Sequence, residues 1–183
     1  MEDQLLHEGR YLRLKQRGRW EYAERTNASS AVIVVAITPE DKVLFVEQYR
    51  VPIEARSIEM PAGLVGDLGE AESVEVAARR ELLEETGWAA EHIEYLMAGP
   101  SSSGMSNEMI AFVRASGLSR QGAGGGDETE QITVHEVPRA EVAAWLFQKM
   151  NEGFSIDPKL YAGLYFVEHN PDGNRASAAG SAA

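Results

Sequence analysis

The sequence predicts an α/β protein, an α/β/α sandwich on a mixed sheet with an antiparallel strand pair at its N-terminus. Two observations carry that expectation. Short apolar runs bounded by turn residues are interspersed with stretches of helical periodicity. The run Ala31–Ile37 has no polar position, as expected of a strand covered on both faces. With 183 residues, 44% of them hydrophobic, the chain is long enough for one domain with a real core, expected over residues 1–170.

Arg10–Leu14 alternates, Gln16–Gly18 turns, and Trp20–Arg25 runs back, which gives the N-terminal hairpin. Ala31–Ile37 follows, then a turn at Pro39, Glu40 and Asp41, then a strand over Lys42–Gln48. Pro61, Gly63, Gly66 and Gly69 mark a long loop before a helix over about Ser73–Thr86, which Gly87 stops. Strands are expected near Ile93–Ala98, Met109–Ala115 and Gln131–Val137, with Gly122–Gly126 as a flexible tip between the last two. Arg139–Asn151 reads as an amphipathic helix with Val142, Trp145, Leu146 and Met150 on one side. A last helix runs over Pro158–Glu168, and Pro171–Ala183 is expected to be a flexible tail.

Composition narrows the function. A net charge of −12 argues against a nucleic-acid or anionic-membrane partner, both of which need a basic surface. The absence of cysteine removes disulfides, a thiolate nucleophile and a Cys-based zinc site. The N-terminal segment MEDQLLHEGRYLRL has no apolar core of a secretory signal, and no apolar run reaches the length of a membrane span, so a cytoplasmic location is expected. The histidines (His7, His92, His135 and His169) show no metal-ligand spacing, and Gly124-Gly125-Gly126 lacks the lysine of a phosphate loop.

The chemistry concentrates at Arg80-Glu81-Leu82-Leu83-Glu84-Glu85. On a helix Glu85 lies about 40° from Glu81, and Glu84 about 60° from it on the other side. Like charges at that spacing repel, and a hard cation between the oxygens relieves the repulsion. Ligation by carboxylates alone suits Mg²⁺, or Mn²⁺, and not Zn²⁺.

Residues 66–88, GDLGEAESVEVAARRELLEETGW, resemble the Nudix box GX5EX7REUXEEXGU, in which U is aliphatic. Gly66, Glu72, Arg80, Glu81, Leu82, Glu84, Glu85 and Gly87 hold its spacings, and Trp88 replaces the last aliphatic residue. Gly63, directly after Pro61-Ala62, is the other candidate for the box glycine. Glu47-Gln48-Tyr49-Arg50 and Ile58-Glu59-Met60-Pro61-Ala62-Gly63 resemble segments of the ADP-ribose and nucleoside-diphosphate-sugar pyrophosphatase branch. So does Trp20-Glu21-Tyr22-Ala23-Glu24-Arg25-Thr26, and the loop Gly99–Glu108 is similar to the lid loop of that branch.

The resemblance implies the Nudix fold and hydrolysis of a diphosphate in ADP-ribose or a related nucleotide sugar. It places metal on Glu81, Glu85, Glu84 and the Ala62 carbonyl, with Arg80 orienting a glutamate. It puts Arg25 and Arg50 on phosphates, Glu59 at a substrate or metal position, and Trp20 and Glu21 on the base. Tyr11 would close a base sandwich from the partner of a homodimer built through residues 1–28. Glu108 or Glu84 would activate the water, and Glu72 is left between a helix cap and a structural or metal-linked role. Alternatives are GDP-mannose, a dinucleoside polyphosphate, or a nucleotide sensor without catalysis.

Overall fold

The computed structural model describes residues 2–67, 72–126 and 131–176. In chain order the elements are β1 (Asp3–Glu8), β2 (Leu12–Arg17), β3 (Trp20–Arg25), β4 (Ser30–Ala36), β5 (Lys42–Arg50), β6 (Ala55–Glu59) and β7 (Ala62–Val65). There follow α1 (Val74–Thr86), β8 (Trp88–Pro100), β9 (Met109–Arg120), β10 (Thr133–Pro138), α2 (Val142–Asn151), β11 (Ser155–Ile156) and α3 (Pro158–Glu168). They form a three-stranded sheet β1-β2-β3 and two four-stranded sheets, β10-β5-β6-β11 and β7-β4-β9-β8. Both larger sheets are mixed: β4 runs parallel to β9 and antiparallel to β7, and β6 runs parallel to β11 and antiparallel to β5.

The unbroken apolar run in β4 is explained by its two covered faces. Ile33 and Val35 join Phe45, Phe112, Leu146, Leu160 and Phe166 in one core, on the side of α2 and α3. Val32, Val34 and Ala36 join Ala77, Ala78 and Leu82 of α1 in a second. Trp88 is 6% exposed in that second core, so an indole serves where the box has an aliphatic residue. The layers are helix, sheet, helix, as the sequence predicts. No helix among the described residues is long and apolar enough to cross a membrane.

Helix α1 has the ends its sequence announces. The Ser73 hydroxyl accepts the Val76 amide at 3.2 Å, and Gly87, at φ 73°, returns its N–H to the Leu83 carbonyl. Four other expectations need correction. The N-terminal strand pair is a trio, because β1 pairs antiparallel with β2. A register shift between Leu5 and His7 breaks the period-two pattern there, which hides the strand from an alternation test. The segment around Gly63 is strand β7 rather than loop, since pairing with β4 supplies the ladder its glycines do not suggest.

Gly122–Gly126 is no free tip. Gly125 N–H donates to Glu85 O at 2.8 Å and Gly126 N–H to Glu84 O at 3.1 Å, while Gln121 and Gly122 both donate to Gly87 O. The strap thus satisfies carbonyls that a helix leaves unpaired at its C-terminus. A Cβ on Gly124 would stand 2.4 Å from the Thr86 carbonyl carbon, so only glycine fits. The first residues of the predicted tail are tied down: Asn170 N–H donates to Asn174 O and Ala176 N–H to Glu168 O, folding residues 170–176 back on α3. Gly69, residues 127–130 and residues 177–183 lie outside the described residues.

Candidate active site

A cleft of about 670 Å³ opens where β3, β5, β6, β7, α1 and the start of α3 meet. Arg25, Arg50, Glu59, Ala62, Gly63, Glu81, Glu85 and Glu108, all singled out in the sequence, line it. Glu81 is 9% exposed and Glu85 2%. Both project from the face of α1 turned toward β7. The Ala62 N–H donates to Glu85 Oε2 at 3.0 Å. Gly63 is where backbone and carboxylate come closest, for a Cβ there would lie 1.8 Å from Glu81 Cδ. Gly66, at φ 82°, instead donates its N–H to Glu72 Oε2 at 3.1 Å, so each candidate box glycine has its own task.

Arg80 is the hub of the acidic cluster. Its guanidinium donates to Glu72 Oε1 at 3.1 Å, to Glu81 Oε1 at 2.8 Å and to Glu84 Oε2 at 3.3 Å. It also reaches the Leu64 carbonyl at 3.1 Å and Asp67 at 3.2 Å. The hydrogen bonds from Arg80 and the Gly66 amide hold the Glu72 carboxyl below its ordinary range. Glu72 is therefore bound to the hub, and Ser73 is the cap. Burial pushes the Glu81 carboxyl up to about 7, only partly opposed by Arg80. Two buried carboxylates one helical turn apart, Glu81 and Glu85, both on the cleft wall, fit a hard divalent cation. Among the described residues no three such groups already converge at binding distance, because Arg80 draws Glu81 and Glu84 toward itself. Glu84 is half exposed and does not line the cleft.

The two phosphate candidates are each engaged by a carboxylate. Arg50 donates to both oxygens of Glu59, at 2.8 and 2.7 Å, and Arg25 donates to Glu108 Oε1 at 2.5 Å. Strand β3 reaches this wall through backbone pairing with the loop before β9: Ala23 N–H donates to Met105 O at 2.8 Å, and the Asn107 amide side chain to Glu24 at 2.8 Å. Trp20, Glu21 and Tyr11 are not brought to the cleft. Trp20 sits at the hairpin tip, 61% exposed, and Tyr11 is also exposed.

Sequence reasoning missed Asp67, which serves the hub, and the cleft-lining Ser57, Ser155, Asp157 and Lys159; it named Gln48 only within a segment and gave it no role. Alternation along β6 from Glu59 back to Ser57 could have found one of them.

The NUDIX domain family matches residues 28–155. The methanol dehydrogenase activator of Bacillus methanolicus is 38% identical over 133 residues, covering 72% of this chain and 70% of that protein. An ADP-ribose pyrophosphatase of Bacillus subtilis is 36% identical over 102 residues, covering 56% of this chain and 54%, about half, of that enzyme. A crystal structure of an ADP compounds hydrolase superposes with a TM-score of 0.69 at 22% identity, covering 91% of this chain and 90% of that one, and so shares the fold.

Fold, acidic helix and relatives together define a hydrolase acting on phosphoric anhydrides. The chain belongs to the Nudix family, whose box is the α1 hub described above and whose members generally use divalent metal ions.

Proposed function

We propose that the protein hydrolyses the diphosphate of ADP-ribose or a closely related nucleotide sugar, with Mg²⁺, giving a nucleoside monophosphate and a sugar phosphate. The observation that carries this reading is that Arg25 and Arg50 line the same cleft as Glu81 and Glu85. Cations for a diphosphate and carboxylates for a metal thus share a space large enough for a nucleotide sugar.

Glu81 and Glu85, with Glu84 and the Ala62 backbone, would hold the metal, Mn²⁺ being an acceptable substitute. When bound, it would neutralise charge on the phosphoryl oxygens. Arg25 and Arg50 exchange their carboxylate partners for phosphate oxygens as the diphosphate enters. Glu108, released from Arg25, then faces the cleft as a base able to take a proton from water. The oxygen of that water joins one phosphorus, and the bridging oxygen leaves with the other. Glu84, turned out of the cleft, is the weaker candidate for this role. Glu59 positions Arg50, and Arg80 positions Glu81.

The N-terminal trio supports a homodimer. Leu5, Leu12, Leu14 and Trp20 are exposed on it, and no residue of β1 to β3 belongs to either core. Trp20, Glu21 and Tyr11 would then read the base in the partner's cleft, which accounts for their distance from the cleft of their own chain.

The deciding experiment is phosphate release, coupled to a phosphatase, across ADP-ribose, ADP-glucose, GDP-mannose, UDP-glucose, a diadenosine polyphosphate and 8-oxo-dGTP. Preference for ADP-ribose, lost on removing Mg²⁺, is expected. Preference for GDP-mannose would keep the metal chemistry and remove Trp20 and Glu21 as adenine readers. Silence across the panel would overturn the reading in favour of a nucleotide sensor. Sedimentation equilibrium of Leu14→Arg beside the wild type tests the dimer: a monomeric variant is expected, and a monomeric wild type would refute it.

A further inference from the structure

Gln48, Ser57 and Ser155 stand in register on three neighbouring strands. Gln48 of β5 pairs with Ser57 of β6, and Ser57 pairs with Ser155 of β11. Paired residues point to the same side of a sheet, so an amide and two hydroxyls form one row. All three line the cleft. Gln48 is only 7% exposed and Ser57 3%, yet neither side chain hydrogen-bonds to another described residue. Their polar ends open onto the cleft, where a ligand can take the place of water.

The chemistry of the row narrows that ligand. Beyond it Asp157 is already satisfied, accepting the Lys159 amide at 2.8 Å and the Lys159 ammonium at 2.6 Å. That pair is neutral as a whole, so the wall carries no net charge. Arg50, two residues on from Gln48 along β5 and on the same face, is held by both oxygens of Glu59. A row of neutral groups able both to donate and to accept matches the vicinal hydroxyls of a sugar. Pro52, Ile53 and Leu160 beside it offer apolar surface for the C–H face of a furanose or pyranose.

We propose that Gln48, Ser57 and Ser155 form a diol-binding strip that takes the vicinal hydroxyls of a sugar in the substrate and sets sugar specificity. The inference rests on the pyrophosphatase reading above. Two sugars of a nucleotide sugar carry such a diol, the nucleoside ribose and the distal sugar, and substrate analogues separate them.

The test compares hydrolysis of three substrates: ADP-ribose, its analogue with 2′-deoxyadenosine, and its analogue with a deoxygenated distal ribose. Each is assayed with the wild type and with Gln48→Leu, Ser57→Ala and Ser155→Ala, after thermal melting has shown that the variants are folded. Loss of one neutral hydrogen bond is worth roughly 2- to 10-fold. Each variant should therefore lose about that factor in kcat/KM on ADP-ribose, chiefly through KM. The loss should shrink below about twofold on the analogue that lacks the contacted hydroxyl, and the identity of that analogue names the sugar bound. An equal loss on all three substrates, or no loss on any, would overturn the strip. If the wild type cleaves none of them, the pyrophosphatase reading fails separately. The same three ligands are then titrated by calorimetry, where failure of all to bind, or equal affinity for all, would overturn the strip as well.

Discussion

The guanidinium of Arg25 holds the carboxylate of Glu108 at 2.5 Å across 83 positions of sequence, fastening the N-terminal sheet to the loop that precedes β9. One contact thus couples the element that would build a dimer to the residue that would activate water. A diphosphate entering the cleft competes for the same guanidinium, so substrate binding and release of the base become one event.

That coupling predicts a kinetic signature. Glu108→Gln should lower kcat by about 10²- to 10⁴-fold with KM little changed, as expected for loss of a general base. Arg25→Ala should raise KM and lower kcat together. Glu84→Gln should cost less than about tenfold if Glu84 serves as an outer ligand and not as the base. Steady-state kinetics on ADP-ribose separates these cases, and a larger defect for Glu84→Gln than for Glu108→Gln would exchange the two roles.

Arg80 binds Glu72, Glu81, Glu84 and Asp67 from a largely buried position. Removing it strands carboxylates that make no other ion pair among the described residues. Arg80→Ala should destabilise the fold by about 3–5 kcal/mol, the cost of breaking a buried ion pair from one side. Arg80→Lys should rescue little, since an ammonium cannot reproduce the planar fork. Urea denaturation of both variants provides the measurement.

The Glu81 carboxyl, pushed up to about 7 by burial from an ordinary value near 4.5, predicts a pH dependence of the metal-free protein. The folded state holds its proton more tightly than the unfolded state, so the stabilising contribution is complete below about 4.5 and is lost as pH rises through about 7. Glu81→Gln keeps a neutral side chain throughout. Its melting temperature should gain on the metal-free wild type between pH 5 and 8, and Mg²⁺ should narrow the gap at the upper end by binding the ionised wild type. A difference independent of pH would remove Glu81 as the titrating group.

Gly124 tests the strap. At φ 72°, with Thr86 backbone in the path of any Cβ, Gly124→Ala should cost roughly 2–4 kcal/mol. Gly104 has nothing within 4 Å of its would-be Cβ, so Gly104→Ala should be close to neutral in the same thermal scan.

Much of this was readable in the chain because its signals were redundant. The apolar run of β4, the Ser73 cap, the Gly87 stop and the spaced carboxylates of α1 each point to the same layered fold. Other features resisted because their cause is tertiary. β1 carries adjacent leucines and a register shift, β7 is glycine-rich, and the strap owes its order to carbonyls of a helix far back in the sequence. Within the site, the charged residues announced themselves by type. Gln48, Ser57 and Ser155 did not, since only the pairing of β5, β6 and β11 aligns them.

The strap from Gly122 to Gly126 also has a consequence for how this enzyme can vary. Its grip on the Glu84 and Glu85 carbonyls is made by backbone N–H groups alone. It works as a gauge block whose dimension is set by peptide geometry, so the acidic face of α1 keeps its height above the cleft whatever side chains are exchanged elsewhere. Adding or deleting a residue there would move both glutamates together. Tinkering with substrate choice is free to proceed among the other residues of the cleft while the hydrolytic centre stays where it is.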